Sequence, residues 1–179
     1  MTVPKLRFPE FLEAGKWVEK PIAKICDVLN SRRMPISSNN REKGSYPYYG
    51  ASGIVDYVNN YIFDDRLLLI GEDGAKWGAF EKSAFIAEGK YWVNNHAHVL
   101  KATSINDTLL ENYLNMLDLT PYITGAAPPK LTLGKLKEIP AYKCRFFHPP
   151  SAAQIASVGP LISGKLGHPS GRPGLRGRS

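Results

Sequence analysis

No apolar stretch of this 179-residue chain approaches the roughly 20 residues that cross a bilayer. The longest strongly apolar run, Leu67-Leu68-Leu69-Ile70, is the length of one strand. The first eleven residues, Met1 to Phe11, carry proline and charge and lack the apolar segment of a secretory signal. Only two cysteines are present, Cys26 and Cys144, and their separation matches no metal or redox spacing. These absences predict a chain of the reducing cytoplasm with no membrane contact. A chain of this length buries a core without disulfide or metal help. Acid is missing from the C-terminal stretch: residues 151–179 hold Lys165, Arg172, Arg176 and Arg178 and no Asp or Glu, so four of the seven excess positive charges lie there. The remainder is only mildly basic, and charge alone selects no partner.

The rest of the chain divides by pattern. Met1 to Lys20 is a polar lead-in, with Phe8, Phe11 and Trp17 as anchors onto the body. Ile22, Ile25, Cys26, Val28 and Leu29 fall near helical spacing and predict a short amphipathic helix over residues 20–29. Residues 31–45 read as a basic loop rich in Ser, Asn, Pro and Gly. From Tyr46 to Lys101, aromatic and β-branched runs alternate with turn residues, which predicts strands over 57–63, 66–70, 84–87 and 91–101. In the last run His96 and His98 are two apart and share one face. Asn106 caps a helix built on Leu109, Leu110, Tyr113, Leu114 and Leu117 and ended by Pro121. Leu131, Leu133, Leu136 and Ile139 read as a strand or turn returning to the core. A further helix begins at Pro150 and is broken by Gly159-Pro160. Beyond it, six glycines and three prolines in the last 21 residues predict disorder.

Several constellations of residues are candidates for chemistry. His96 and His98 could both ligate a metal, but no suitable third ligand is near in sequence, and paired imidazoles that lock strands together explain them too. Asp64, Asp65, Glu72, Asp73 and Lys76 loosely resemble the acidic-plus-lysine cluster of metal-dependent nucleases, yet they read equally as turn residues. Gly159 to Lys165 nearly spells a phosphate loop but follows no strand and lacks the Ser or Thr after the lysine. The Tyr-Pro-Tyr phrase at Tyr46 and the Thr-Pro-Tyr phrase at Thr120 lack the Asn or Asp and double proline of amino-group methyltransferases, so self-contained methyl transfer is excluded. The remaining set is basic and aromatic. Arg32, Arg33, Arg41, Lys43, Tyr49, Lys76, Trp77 and Lys90 sit in expected turns or at strand ends. Such residues neutralise phosphates and read base edges. A solvated surface with ordinary loop charges accounts for the same residues.

Four phrases go beyond generic pattern: Tyr46-Pro-Tyr-Tyr-Gly-Ala-Ser-Gly53, Leu67-Leu-Leu-Ile-Gly-Glu-Asp-Gly-Ala75, Trp92-Val-Asn-Asn-His-Ala-His-Val-Leu100, and Thr124-Gly-Ala-Ala-Pro-Pro-Lys-Leu-Thr-Leu133 with Leu136-Lys-Glu-Ile-Pro140. In this order and spacing they resemble a target recognition domain of the DNA specificity (S) subunit of type I restriction–modification systems, over about residues 4–158. The resemblance implies an α+β domain with an irregular, twisted β core and few helices. It implies a target recognition domain over 1–148 and the start of a spacer helix over 149–158, and the composition of 159–179 predicts a disordered tail after them. It implies a non-catalytic subunit, with no cofactor of its own, that binds half of a bipartite double-stranded DNA site. The implied partners are methyltransferase (M) subunits, which would carry S-adenosylmethionine, a restriction/translocase (R) subunit, and a second half-specificity subunit. Full-length members carry two recognition domains; here one is present, and a nuclease or methyltransferase fragment or an inactive truncated subunit stays open as an alternative. The stereotyped phrases are expected to be scaffold, and the base readers are expected in residues 31–45 and 75–82 and at Lys90.

Overall fold

The computed structural model describes residues 17–144. Phe8, Phe11, the helix expected from Pro150 and the tail expected from Gly159 lie outside the described residues, as does the side chain of Cys144. Ten strands form two four-stranded sheets and one two-stranded ribbon. The ribbon pairs β1 (Trp17–Pro21) with β10 (Pro140–Cys144), antiparallel, so the start and end of the described chain lie side by side.

The first sheet runs β2 (Cys26–Val28), β9 (Ala97–Ala102), β6 (Leu67–Gly71) and β7 (Ala84–Ala87). β6 is central and buried throughout. Because side chains alternate along a strand, Leu68 and Ile70 enter one apolar cluster while Leu67 and Leu69 enter another. A strand covered on both faces needs an unbroken apolar run, which is what Leu67 to Ile70 supplies. On one face α1 (Asp107–Met116) and α2 (Leu133–Glu138) bring Leu110, Leu114 and Leu136 against Ile22, Ile25, Leu68 and Leu100. On the other, Phe63, Phe85, Tyr91 and Val93 pack against Leu67 and Leu69.

The second sheet runs β4 (Gly53–Val58), β3 (Lys43–Gly50), β8 (Lys90–Val93) and β5 (Phe63–Asp64). β3 and β8 are parallel, with Tyr48 opposite Trp92. Residues 33–42 fold back over this sheet: the Trp92 indole donates to the Met34 carbonyl at 2.6 Å, and the Ile36 amide donates to the Tyr48 hydroxyl at 3.0 Å. The two sheets touch at their ends, where a Cβ on Gly71 would overlap the Ala75 methyl and lie 2.8 Å from the Ala51 carbonyl. Only glycine permits that approach.

The α+β expectation holds, with corrections in its elements. Residues 20–29 are not a helix: β1 ends at Pro21, one short turn covers Ile22–Lys24, and β2 follows. Ile22, Ile25 and Cys26 are buried and Val28 and Leu29 half-buried, but Cys26–Val28 forms an edge strand paired with β9, which suits β-branched Val28. The run 91–101 is two strands, with a turn at Asn94–His96, so His96 and His98 do not share a face. α1 begins as expected, with the Asn106 side chain accepting from the Leu109 amide at 2.9 Å. It ends at Met116, before Pro121, which instead sits in the first turn of a short 3-10 helix over Thr120–Tyr122. Residues 133–138 are helical, capped by Thr132, where a strand or turn was expected.

Candidate functional site

The eight residues singled out above are scattered by the fold, and three arginines among them brace it. Arg33 is largely covered, with 14% of its side chain exposed. Its Nη1 donates to Glu72 at 2.8 Å and to the Ala97 and Asn95 carbonyls at 2.8 and 3.2 Å, and its Nε donates to the Asn30 carbonyl at 3.2 Å. Arg41 lies over the Tyr48 ring at 4.5 Å, donates to the Ile36 carbonyl at 3.1 Å, and pairs with Asp56 at 3.3 Å. That pairing, after a backbone hydrogen bond from Tyr57, holds the Asp56 carboxyl below its ordinary range. Arg32 covers the Phe63 ring at 4.5 Å and donates to the Ile62 carbonyl at 3.0 Å, yet its outer face is exposed.

The two aromatics belong to packing rather than to a surface. Trp77 is 8% exposed; its indole donates to the Gly71 carbonyl at 3.3 Å and its ring joins the core with Leu119 and Leu131. A loop position did not keep it outside, because the loop folds over the end of β6. Tyr49 stacks on Phe85 at 5.6 Å and meets Tyr91 edge-on at 5.5 Å. Burial pushes its hydroxyl pKa up.

The lysines are exposed and occupy two ends of the second sheet. Lys43 begins β3 and Lys90 begins β8; since these strands are parallel, both lie at the leading end. There Lys90 sits 4.8 Å from the Tyr61 ring, and Tyr61 lies 5.0 Å from Tyr46. Lys76 lies at the trailing end, beyond β6, with 79% of its side chain exposed and Glu81 at 3.7 Å. The adjoining loop contains Lys82 and Phe80. Both are exposed; Phe80, at 80%, lies within the 75–82 stretch expected to read bases but was not itself among the eight named residues. Its signal in the sequence was an apolar residue inside a Gly-containing turn with no periodic partner.

The polar motifs resolve into ties between elements. His98 is buried; its Nε2 donates to the Leu131 carbonyl at 2.6 Å and its Nδ1 accepts from the Asn30 side-chain amide at 2.8 Å. Asn30 completes the tie by accepting from the Val99 amide at 3.0 Å. Burial pulls the His98 pKa below its ordinary 6.5, against the opposing pull of the Leu131 carbonyl and Glu72. This tautomer is neutral. His96 bonds Asp73, which also pairs with Lys130 at 3.0 Å; the two partners outweigh burial and hold the Asp73 carboxyl low. Lys130 bridges back to Thr124 through two backbone hydrogen bonds of 2.8 Å, closing the proline-containing loop. The acidic cluster does not converge: Asp65 faces Lys101 at 2.9 Å, Glu72 faces Arg33, and Asp73 faces His96 and Lys130. Among the described residues, no three His, Cys, Asp or Glu side chains are placed to hold one metal ion. Cys26 is buried and its thiol is pushed up to about 12 by burial and by Asp27. A groove of about 530 Å³ beside α1 is lined by Trp17, Ile105, Leu109, Tyr113, Met116 and Tyr142, with Asn112 as its polar member.

Residues 14–141 match the family model of the type I restriction modification DNA specificity domain. The chain belongs to this family. It is 39% identical over 136 residues to a Haemophilus influenzae protein described as a type I restriction enzyme specificity subunit, covering 74% of this chain and 35% of that one. It is 31% identical over 105 residues to the EcoprrI specificity subunit of Escherichia coli, covering 58% of this chain and 25% of that one. The chain thus spans about a third or less of the length of these relatives. In fold it is similar to a crystal structure of the type I restriction–modification S subunit from M. genitalium, with a TM-score of 0.60 at 10% identity, over 80% of this chain and 37% of that one. The four phrases of the specificity domain occupy the joints just described: the β3–β4 turn, the end of β6, the β8–β9 turn, and the loop and helix before β10. No helix among the described residues is long and apolar enough to cross a membrane.

Proposed function

We propose that this chain recognises one half of a bipartite double-stranded DNA site as part of a specificity subunit, and that it catalyses nothing itself. The match of residues 14–141 to the specificity domain carries the reading. The architecture supports it: His96, His98, Glu72, Asp73, Arg33 and Arg41 are committed to internal ties, which leaves the outer face of Arg32, the exposed lysines and the loop tips for a polyanion. Arg32, Lys43 and Lys90 at the leading end, and Lys76 and Lys82 at the trailing end, are the groups offered to phosphates and bases. In this reading methyltransferase subunits bring S-adenosylmethionine, a restriction/translocase subunit joins the complex, and a second recognition half completes the site. The domain assignment is 1–148 for recognition, with 149–158 opening a spacer helix, and the complex works in the cytoplasm.

The test is selection from a randomised duplex pool by the full chain assembled with methyltransferase subunits. The expected result is enrichment of one short half-site, with affinity that falls steeply as salt rises. Enrichment by the methyltransferase subunits alone, identical with and without this chain, would overturn the proposal.

A further inference from the structure

Phe80 is the one non-glycine residue with positive φ among the described residues, at +64°, and the most exposed of their large apolar side chains, at 80%. Both features are unfavourable in the free domain. A bulky L residue rarely adopts this backbone region, and an exposed phenyl ring forgoes its burial. The loop is nevertheless firmly built. On one side Trp77 is buried, and its carbonyl accepts from the Leu119 amide at 2.8 Å. On the other Ser83 is fully buried and its hydroxyl donates to the Lys76 carbonyl at 2.6 Å. Between them the Glu81 amide donates to the Gly78 carbonyl at 3.2 Å, closing the turn that holds the ring outward. The ring is therefore presented by an anchored turn, and its flanks are cationic. Lys76 is exposed with Glu81 3.7 Å away, and Lys82 is exposed with no ion pair among the described residues.

We propose that Phe80 is a base-contacting residue: its ring enters a DNA groove as an apolar wedge against a base step, while Lys76 and Lys82 meet the flanking phosphates. An apolar tip between cations suits DNA because bases offer apolar faces and edges between two lines of phosphate charge. The inference rests on the proposed DNA-recognition function and assigns a contact within it.

The experiment uses the full chain assembled with methyltransferase subunits and a duplex selected from a random pool. Phe80→Ala, Phe80→Gly and Lys82→Ala are compared with the parent, with 2-aminopurine placed in turn at each adenine of the selected half-site. Phe80→Ala is expected to weaken binding about tenfold, as loss of one good base contact does, with the salt dependence unchanged because no counterion is involved. Lys82→Ala is expected to reduce the salt slope by about one. Phe80→Gly removes both the ring and the strain, so it should bind as weakly as Phe80→Ala while melting no lower than the parent. The parent should brighten 2-aminopurine at one step, and both Phe80 variants should not. Unchanged affinity and fluorescence in the Phe80 variants would overturn the wedge while leaving DNA recognition intact. Loss of assembly with methyltransferase subunits, with DNA contacts unaltered, would overturn it in favour of a protein contact. A parent complex that selects no sequence would overturn the recognition reading and the wedge together.

Discussion

Arg33→Ala separates a brace from a DNA contact. Arg33 gives hydrogen bonds to one carboxylate and three carbonyls and is mostly covered. Losing one partner of a fully buried ion pair costs about 3–5 kcal/mol. Glu72 keeps 23% of its side chain exposed and regains water, which lowers that figure. The Ala97 and Asn95 carbonyls lose a charged donor, and hydrogen bonds to charged groups contribute about 1.5–3 kcal/mol. These considerations together give about 2–3 kcal/mol of destabilisation for Arg33→Ala. In urea the midpoint should fall by roughly 1–1.5 M at unchanged slope, for a slope near 2 kcal/mol/M. Melting should drop by about 5–10 °C for a chain of this size. Arg33→Lys should recover little, because an ammonium cannot reproduce the forked donors. Below its melting range, Arg33→Ala in the assembled complex should keep the parent's salt slope for DNA. A stability loss under about 0.5 kcal/mol, the usual range for an open surface position, combined with a reduced salt slope, would refute the bracing role and return Arg33 to the DNA face.

His98 has its pKa pulled below 6.5 by burial, so just below that value the unfolded chain binds more protons than the folded one. Stability should therefore fall as pH drops through 6.5 towards the lower folded value, and urea titrations should show this slope diminished in His98→Gln. Trp77→Ala empties a buried indole site and should cost about 3–5 kcal/mol by urea unfolding. Asn106→Ala removes the helix cap and should cost about 1 kcal/mol, read as a small shift in urea midpoint with no effect on DNA. A Trp77 variant as stable as the parent, or a stabilising Asn106→Ala, would contradict the packing and capping described.

Legibility followed the range of the interactions. α1 could be read because its cap and apolar stripe are local: Asn106 and Leu109 are three residues apart. The buried run Leu67–Ile70 could be read because a strand covered on both faces must be apolar throughout. Residues 20–29 misled because Ile22, Ile25 and Cys26 mimic helical spacing. What decides their form is pairing with β9, more than 70 residues away. The site misled for the same reason. Arg33 finds Glu72 and Ala97, Trp77 finds Leu119 and Leu131, and Arg41 finds Tyr48 and Asp56. Loop charge and aromaticity are local observations, whereas their satisfaction by distant partners appears only once the chain is folded. Phe80 lies in the 75–82 stretch expected to read bases, yet which side chain of that stretch folding leaves outside is again settled by distant partners, since its neighbour Trp77 turns inward.

The central claim is that this domain chooses the DNA sequence on which its partners act. The direct measurement is to map, base by base, the adenines methylated in genomic DNA by methyltransferase subunits assembled with a two-domain specificity subunit, before and after one of its recognition domains is replaced by residues 1–148 of this chain. The account predicts that one half of the methylated motif changes to a new short sequence while the other half and the methylation chemistry stay the same. A motif unchanged by the replacement, in a complex that assembles and methylates, would contradict it.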